Sequence, residues 1–384
     1  MQGNRYKTLI ATSFFLNSYY YITAKYSMKG FLFLIFIIIY NITISFSQVS
    51  APKYSNEFLN LGVGARALGM GTTQVSSVQD VTAGYWNPAG LLQIKEKYDI
   101  GFMHAEYFAG IAKYDYLGFA TPIDSMSHLG FSLIRFGIDD IPDTRFLYDA
   151  SGAINYNNIR FFSAVDYAFL ISYARENQWV KGLNIGANFK IIRRVVGDFA
   201  NAWGFGFDVG AHYKLKKWNF GLMARDITGT FNAWTHNTDL VRTVYQQTGN
   251  AIPTNSKEIT LPRLILGVSR SFLITRKLEC MPTMDLVINF DGKRNVLVKT
   301  NFTSFDPTVG LELNYAKIVF LRAGVRNIQQ VENFEGKKYY SIQPDFGLGI
   351  AIYKFNIDYA LTNIASQGEG LFSHIFSVRF AFSD

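Results

Sequence analysis

From Trp203 to Tyr213 the chain alternates without a break. Trp203, Phe205, Phe207, Val209, Ala211 and Tyr213 take one set of positions, and Gly204, Gly206, Asp208, Gly210 and His212 take the other. Successive side chains of a strand point to opposite faces, so this segment predicts a strand with one apolar and one small or polar face. Leu183–Ile191 repeats the pattern, setting Leu183, Ile185, Ala187, Phe189 and Ile191 against Asn184, Gly186, Asn188 and Lys190. Trp218–Arg225, Val309–Tyr315, Val319–Arg326, Phe346–Ile352 and Phe355–Leu361 follow the same rule. About fourteen strands are predicted in all. They lie near 98–109, 114–123, 128–137, 162–174, 183–195, 202–213, 218–226, 261–273, 278–290, 305–315, 318–326, 343–353, 355–361 and 374–382. Many approach the roughly 9–11 residues that a tilted strand needs to cross a bilayer, whereas strands of soluble sheets run to about 5–6.

The connections sort into two classes. If the chain enters the first strand from the periplasm, the periplasmic links are Asp124–Ser127, Arg175–Gly182, Lys214–Lys217, the turn at Arg276-Lys277, Ala316-Lys317 and Lys354, all short. The longest links, 138–161, 227–260, 291–304, 327–342 and 362–373, all fall on the opposite side. Barrels of the bacterial outer membrane have this asymmetry of short turns and longer outer loops. The last segment, His374–Phe382, puts Phe376, Val378, Phe380 and Phe382 on one face. An apolar edge strand would aggregate unless paired, and closure against the first strand pairs it. The predicted fold class is therefore all-β, a transmembrane antiparallel β-barrel whose outer face is apolar and whose inner face is polar.

Composition agrees: 34 Phe, 23 Tyr and 32 Gly stand against only 17% charged residues. A formal charge of +8 raises the question of nucleic acid. No dense basic run is present, so no nucleic-acid partner is expected; the expected surroundings are outer-membrane lipid and lipopolysaccharide. A single Cys280 excludes a disulfide framework and a cysteine-rich metal site. Phe31–Tyr40 is the one strongly apolar continuous run. Met28-Lys29-Gly30 precedes it, and Ser45-Phe46-Ser47 leads to Gln48. A basic start, an apolar stretch and small residues before a cleavage point predict a secretory signal peptide cut near Gln48. Met28 is then the expected true start, with residues 1–27 an upstream misassignment or a long leader; peptide sequencing of the mature N-terminus checks both.

The sequence carries no Gly-rich phosphate loop, no His-Glu-x-x-His helix and no Gly-x-Ser-x-Gly elbow. His104, His128, His212, His236 and His374 are widely spaced and read as lumenal or loop side chains, and neither a metal site nor a cofactor is expected. Inward positions Asp208, Arg225, Asp285, Glu312, Arg322, Arg326, Asp358 and Arg379 predict ion-pair networks in the lumen. In the outer loop 227–260, Phe231, Trp234 and Tyr245 are candidate contacts for a partner protein. Loop 138–161 carries Asp139, Asp140, Asp143 and Asp149, read as a solvated acidic loop.

Residues 49–95 differ from the rest, being rich in Gly and Ala with little two-residue periodicity. They contain Leu61-Gly62-Val63-Gly64-Ala65-Arg66-Ala67-Leu68-Gly69-Met70-Gly71, then Asp80, then Tyr85-Trp86-Asn87-Pro88-Ala89-Gly90-Leu91. This combination resembles the N-terminal signature of the PorV/PorQ family, part of the wider FadL-like outer-membrane superfamily, most strongly over about residues 55–125. The sequence departs from the usual PorV pattern around Asn87-Pro88-Ala89-Gly90, which marks a family member rather than an assured PorV orthologue. The resemblance implies a barrel of fourteen strands with its N-terminal segment folded into the lumen as a plug. The implied organisation is a leader and signal peptide over 1–47, a plug over 48–95 and a barrel over 96–384. In the plug, Gly62, Gly64, Gly69 and Gly71 allow close backbone approach or positive φ. Asn87-Pro88 and Ala89-Gly90 make a turn, Trp86 belongs to the same motif, and Arg66 needs a carboxylate or carbonyl partner, Asp80 being nearest in sequence. The resemblance further implies a noncatalytic role in type IX secretion in a Bacteroidetes-type bacterium, as a subunit or cargo-handling partner of a large outer-membrane complex. The alternative is a FadL-like transporter of hydrophobic small molecules.

Overall fold

The computed structural model describes residues 55–149, 151–332, 336–362 and 372–383; the expected leader and signal peptide lie outside them. The wall is a closed antiparallel barrel of fourteen strands. In chain order they are β1 (Tyr98–Tyr107), β2 (Ala112–Pro122), β3 (Ser127–Asp143), β4 (Arg160–Glu176), β5 (Leu183–Val196) and β6 (Ala200–Leu215). Next come β7 (Trp218–Arg225, resumed at Thr230–His236) and β8 (Ser256–Thr260, resumed at Arg263–Arg270). The last six are β9 (Leu278–Asn289), β10 (Ser304–Tyr315), β11 (Val319–Glu332), β12 (Lys338–Ile352), β13 (Phe355–Thr362) and β14 (Ser373–Phe382). Closure comes from β14 pairing with β1, from Tyr98↔Phe382 to Glu106↔His374. No open edge remains for another chain to extend.

Over most of the wall the outer face is apolar, and the inner face is largely polar except where β1–β5 meet the plug. Phe207 is 47% exposed while its neighbour Asp208 is 2% exposed, and Phe205, Val209, Leu311, Phe346, Leu348 and Phe376 lie on the outer face in the same way. Backbone groups cannot find water in a bilayer, and a closed ladder satisfies all of them internally. The alternation read from the sequence therefore has its expected cause.

Two differences concern the outer end. The segment 227–260, expected to be a loop, contributes Thr230–His236 and Ser256–Thr260 to the wall. Thr230–His236 pairs with β6 from Phe205↔Phe231 to Ala200↔His236, and with Ser256–Thr260 on its other side. Only the helix α1 (Thr238–Thr248) and its flanks form the connection. The interruptions at Asp226–Gly229 and Leu261–Pro262 break the alternation, which is why the pattern stopped too early. Strands β3 and β11 also run past their expected ends, each through a register shift, at Ile138/Ile141 and Arg326/Gln329. Such bulges turn one residue out of the alternation.

At the periplasmic end the hairpins are tight. Ala316 and Lys317 both take positive φ, at 55° and 60°, the geometry whose twist suits two-residue turns. Basic residues gather there: Lys181, Lys216, Lys217, Arg276, Lys277, Lys317 and Lys354 all sit in these short turns.

Candidate functional site

The lumen is occupied by the chain itself. Residues 55–97 run from the outer half of the barrel down to the periplasmic start of β1, and wall residues of inward parity hold them along the way. Near the top, the Ser55 hydroxyl lies 2.7 Å from that of Thr260, and Asn232 donates to Asn56 at 3.0 Å. A short helical turn over Ala65–Leu68 follows, and its Ala65 N–H donates to Ser377 Oγ of β14 at 2.7 Å. This turn carries Arg66 into the centre.

Arg66 is the hub of a buried ion network. Its guanidinium donates to both carboxylate oxygens of Glu312, at 2.9 and 3.2 Å, and also to Gln74 Oε1 and the Ser77 carbonyl. Arg322 reaches the same Glu312 at 2.7 Å and Asp358 at 2.6 Å. Charges removed from water persist only when paired and hydrogen-bonded, and a guanidinium meeting a carboxylate with two bonds is the strongest such arrangement. The carboxylate partner of Arg66 is therefore Glu312 of β10, not Asp80. Asp80 instead accepts from the Thr82 N–H at 2.9 Å and fixes the following turn. Sequence proximity was a poor guide because Glu312, 246 residues away in the chain, is brought to Arg66 by the wall that encloses the plug.

Of the other inward candidates, Arg326 pairs with Asp345 at 2.8 Å and Arg379 with Asp99 at 2.8 Å. Asp208 shares Lys190 with Asp226, at 2.7 and 2.5 Å. Two candidates form no ion pair. Asp285 accepts the Gln74 and Val75 N–H groups at 2.9 and 3.1 Å, so a wall carboxylate caps a plug turn. Arg225 lies over the rings of Tyr85 and Trp86, at 4.2 and 5.7 Å, and donates to the Tyr85 carbonyl at 3.0 Å. Lys190, Asp226, Asp99 and Asp345 were missed as site members. Lys190 carried a usable signal in its inward parity; Asp226 carried none, because it sits where β7 breaks.

The motif residues take these places. Gly62, Gly64 and Gly71 have positive φ. Gly69 has ordinary helical φ, and its constraint is proximity, since a Cβ there would lie 2.7 Å from the Gly347 Cα of β12. Trp86 Nε1 donates to the Val63 carbonyl at 2.9 Å. Asn87 ties three parts together, donating to Val75 O and to Ala211 O of β6 at 2.9 and 3.0 Å while accepting from Ala89 N. Pro88 and Gly90 lie in a 3-10 turn over Pro88–Gln93, buried against the wall. The side of the plug facing β1–β5 is apolar: Leu68, Tyr85, Trp86 and Leu91 pack with Tyr107, Tyr114, Ile134, Leu170 and Ile192.

The three candidate partner contacts do not share one loop. Phe231 packs at a tilt against Phe205 on the outer wall, centroids 5.8 Å apart. Trp234 faces inward, donates to Glu258 at 2.8 Å and lies under Arg194. Tyr245 is on α1. In the acidic segment Asp139 pairs with Lys113, Asp143 with Arg145, and Asp149 accepts from Ser151 and Ala153. Of the histidines, His212 is lumenal, its Nε2 at 3.0 Å from the Ser76 carbonyl. His104 and His374, expected in the lumen or a loop, lie on the outer face.

Residues 49–264 match the family model described as type IX secretion system protein PorV. The chain belongs to the PorV family. As a member it is an outer-membrane barrel of type IX secretion, a Gram-negative system in which it has protein partners. Among solved structures, the chain is similar to the Pseudomonas putida toluene transporter TodX, at a TM-score of 0.53 and 14% identity, covering 84% of this chain and 98% of that one. It is likewise similar to the CymD monoaromatic hydrocarbon channel, at 0.51 and 15% with the same coverage. At such identities the likeness is one of fold alone. A search of curated proteins gives no match.

Proposed function

We propose that this PorV-family barrel is noncatalytic and acts as a subunit or cargo-handling partner of the type IX translocon in a Bacteroidetes-type bacterium, surrounded by outer-membrane lipid and lipopolysaccharide. The observation that carries this reading is the filled lumen. Residues 55–97 are held by the Arg66–Glu312–Arg322–Asp358 network and by wall-to-plug hydrogen bonds at Asp285, Asn87 and Ser377. A barrel plugged so firmly works through its surfaces rather than by passing cargo through its centre. The motif residues of the plug then serve folding, and Phe231, Trp234 and Tyr245 are proposed as contacts at the outer rim.

Transport of a hydrophobic small molecule is the second reading, favoured by the fold shared with TodX. The cavity beside Arg66, about 90 Å³, speaks against it, because Glu312, Arg322, Asp358 and Arg379 line it and an apolar ligand would leave those groups without water. Gentle detergent extraction followed by identification of co-purifying proteins separates the two. A large outer-membrane complex containing this chain is the expected result. Recovery of a lone barrel with a lipid-like ligand inside would sink the proposal.

A further inference from the structure

The outer face of the barrel is not apolar all the way round. On β12 the outward positions stay apolar from Ile352 through Ile350, Leu348, Phe346, Pro344 and Ile342 to Tyr340. That run rises roughly 28 Å along the membrane normal, at about 3.3 Å per residue and a tilt near 45°. It spans the apolar band of ~25 Å that an outer-membrane barrel presents to lipid. On β1 the run is Tyr98, Ile100 and Phe102 only, roughly 9 Å by the same conversion. His104 and Glu106 then take the outward positions, Asp115 and Lys113 do so on β2, and Arg135 and Asp139 on β3. His104 stands as far above Tyr98 as Phe346 stands above Ile352, so these charges sit at acyl-chain depth.

They form two neighbouring groups, His104–Asp115–Arg135 and Lys113–Asp139. His104 Nδ1 is 2.7 Å from Asp115 Oδ1, Arg135 donates to Asp115 Oδ2 at 3.1 Å, and Lys113 reaches Asp139 at 3.3 Å. Nor do these groups simply mark the upper rim of the band. Beyond them, at the β1–β2 hairpin tip, Phe108 and Ile111 are 44% and 64% exposed. His104, Asp115 and Arg135 form part of the wall of a groove of about 510 Å³, whose apolar lining includes Phe102, Leu117, Leu133, Phe376 and Val378. Charged groups on the lipid face of a barrel wall are costly, and a facing protein surface accommodates them better than acyl chains do.

We infer that the upper outer face of β1–β3 is where this barrel docks against the wall of another membrane-embedded protein of the same assembly. The partner's facing surface would offer hydrogen-bonding or charged side chains to Glu106, Asp115 and Arg135, and an apolar ridge to the groove. This inference rests on the proposed membership of a large complex and adds the side by which the barrel is held.

The test uses the full-length chain in native membranes. A photo-crosslinking residue is placed at Leu117 on this face and, in a second variant, at Val309 on the far wall. The expected result is a crosslink from Leu117, and not from Val309, to the outer-membrane protein that also co-purifies with the unmodified chain. In parallel, His104→Leu, Asp115→Leu and Arg135→Leu are combined, which suits lipid and should leave the barrel folded by heat-modifiable gel mobility. The fraction of this variant in the large complex should fall about fivefold or more, the scale of losing one or two central contacts. Crosslinks from Leu117 to lipopolysaccharide alone, or to a second copy of this chain, overturn the inference, as does a variant that stays in the complex undiminished. If the unmodified chain itself extracts as a lone barrel, the assembly reading fails first and the docking face falls with it.

Discussion

Arg66 shows what one residue does in this fold. Its charge is stable inside the barrel because Glu312, Gln74 and the Ser77 carbonyl surround it, and removing either side of the pair strands the other. Glu312→Ala is expected to cost about 3–5 kcal/mol, because it leaves Arg66 without its carboxylate and Arg322 with Asp358 alone. Heat-modifiable gel mobility or thermal unfolding in detergent measures the loss. Arg66→Met with Glu312→Leu should recover part of it, since no buried charge is then orphaned at this point. The glycines act by shape. Gly71, at φ 64°, presses on β11, where a Cβ would lie 2.8 Å from Val325 N, and Gly324 of β11 presses back on the Met70–Gly71 backbone. Gly324→Ala is expected to destabilise by about 1–3 kcal/mol through overpacking, read as a lower midpoint in the same unfolding assay. The sequence pattern GVGARALGMG announced crowding, but not which wall would do the crowding.

At the scale of the strand, the alternation has two readers: lipid on one face and the plug on the other. Phe207 and Asp208 are adjacent, yet a change at each has a different cost. Phe346→Arg, on a fully apolar outer run, is expected to cost about 2–4 kcal/mol and to lower the yield of folded barrel. Leu117→Arg, beside Asp115, is expected to cost markedly less; the yield of folded barrel in paired expressions decides between them. The fourteen strands were legible because period-2 patterning is strict wherever two faces meet different solvents. It became illegible where the strands of β7 and β8 break, at Asp226–Gly229 and Leu261–Pro262, and their outer halves read as loop. Asp226 fell out of view for the same reason, although it closes the Lys190 site.

For the whole molecule the decisive fact is that the barrel encloses its own N-terminal segment. Deleting residues 55–92 is expected to open the lumen: the intact chain should carry no sustained current in a planar bilayer, and the deletion variant should conduct ions. A conducting intact chain would count against the plugged reading. The barrel, its inside-out polarity, its asymmetry of short and long connections and the distinct character of residues 49–95 were all determined by the sequence itself, since each follows from the local order of apolar, polar and turn residues. Tertiary structure alone decided that Arg66 meets Glu312 rather than Asp80, and that Asp285 caps the plug instead of pairing with a cation. It alone aligned His104, Asp115 and Arg135 in one row across three strands. The Arg66–Glu312 and Asp285–Gln74 contacts join residues 246 and 211 apart in the chain, and only the barrel closed around its plug brings them together.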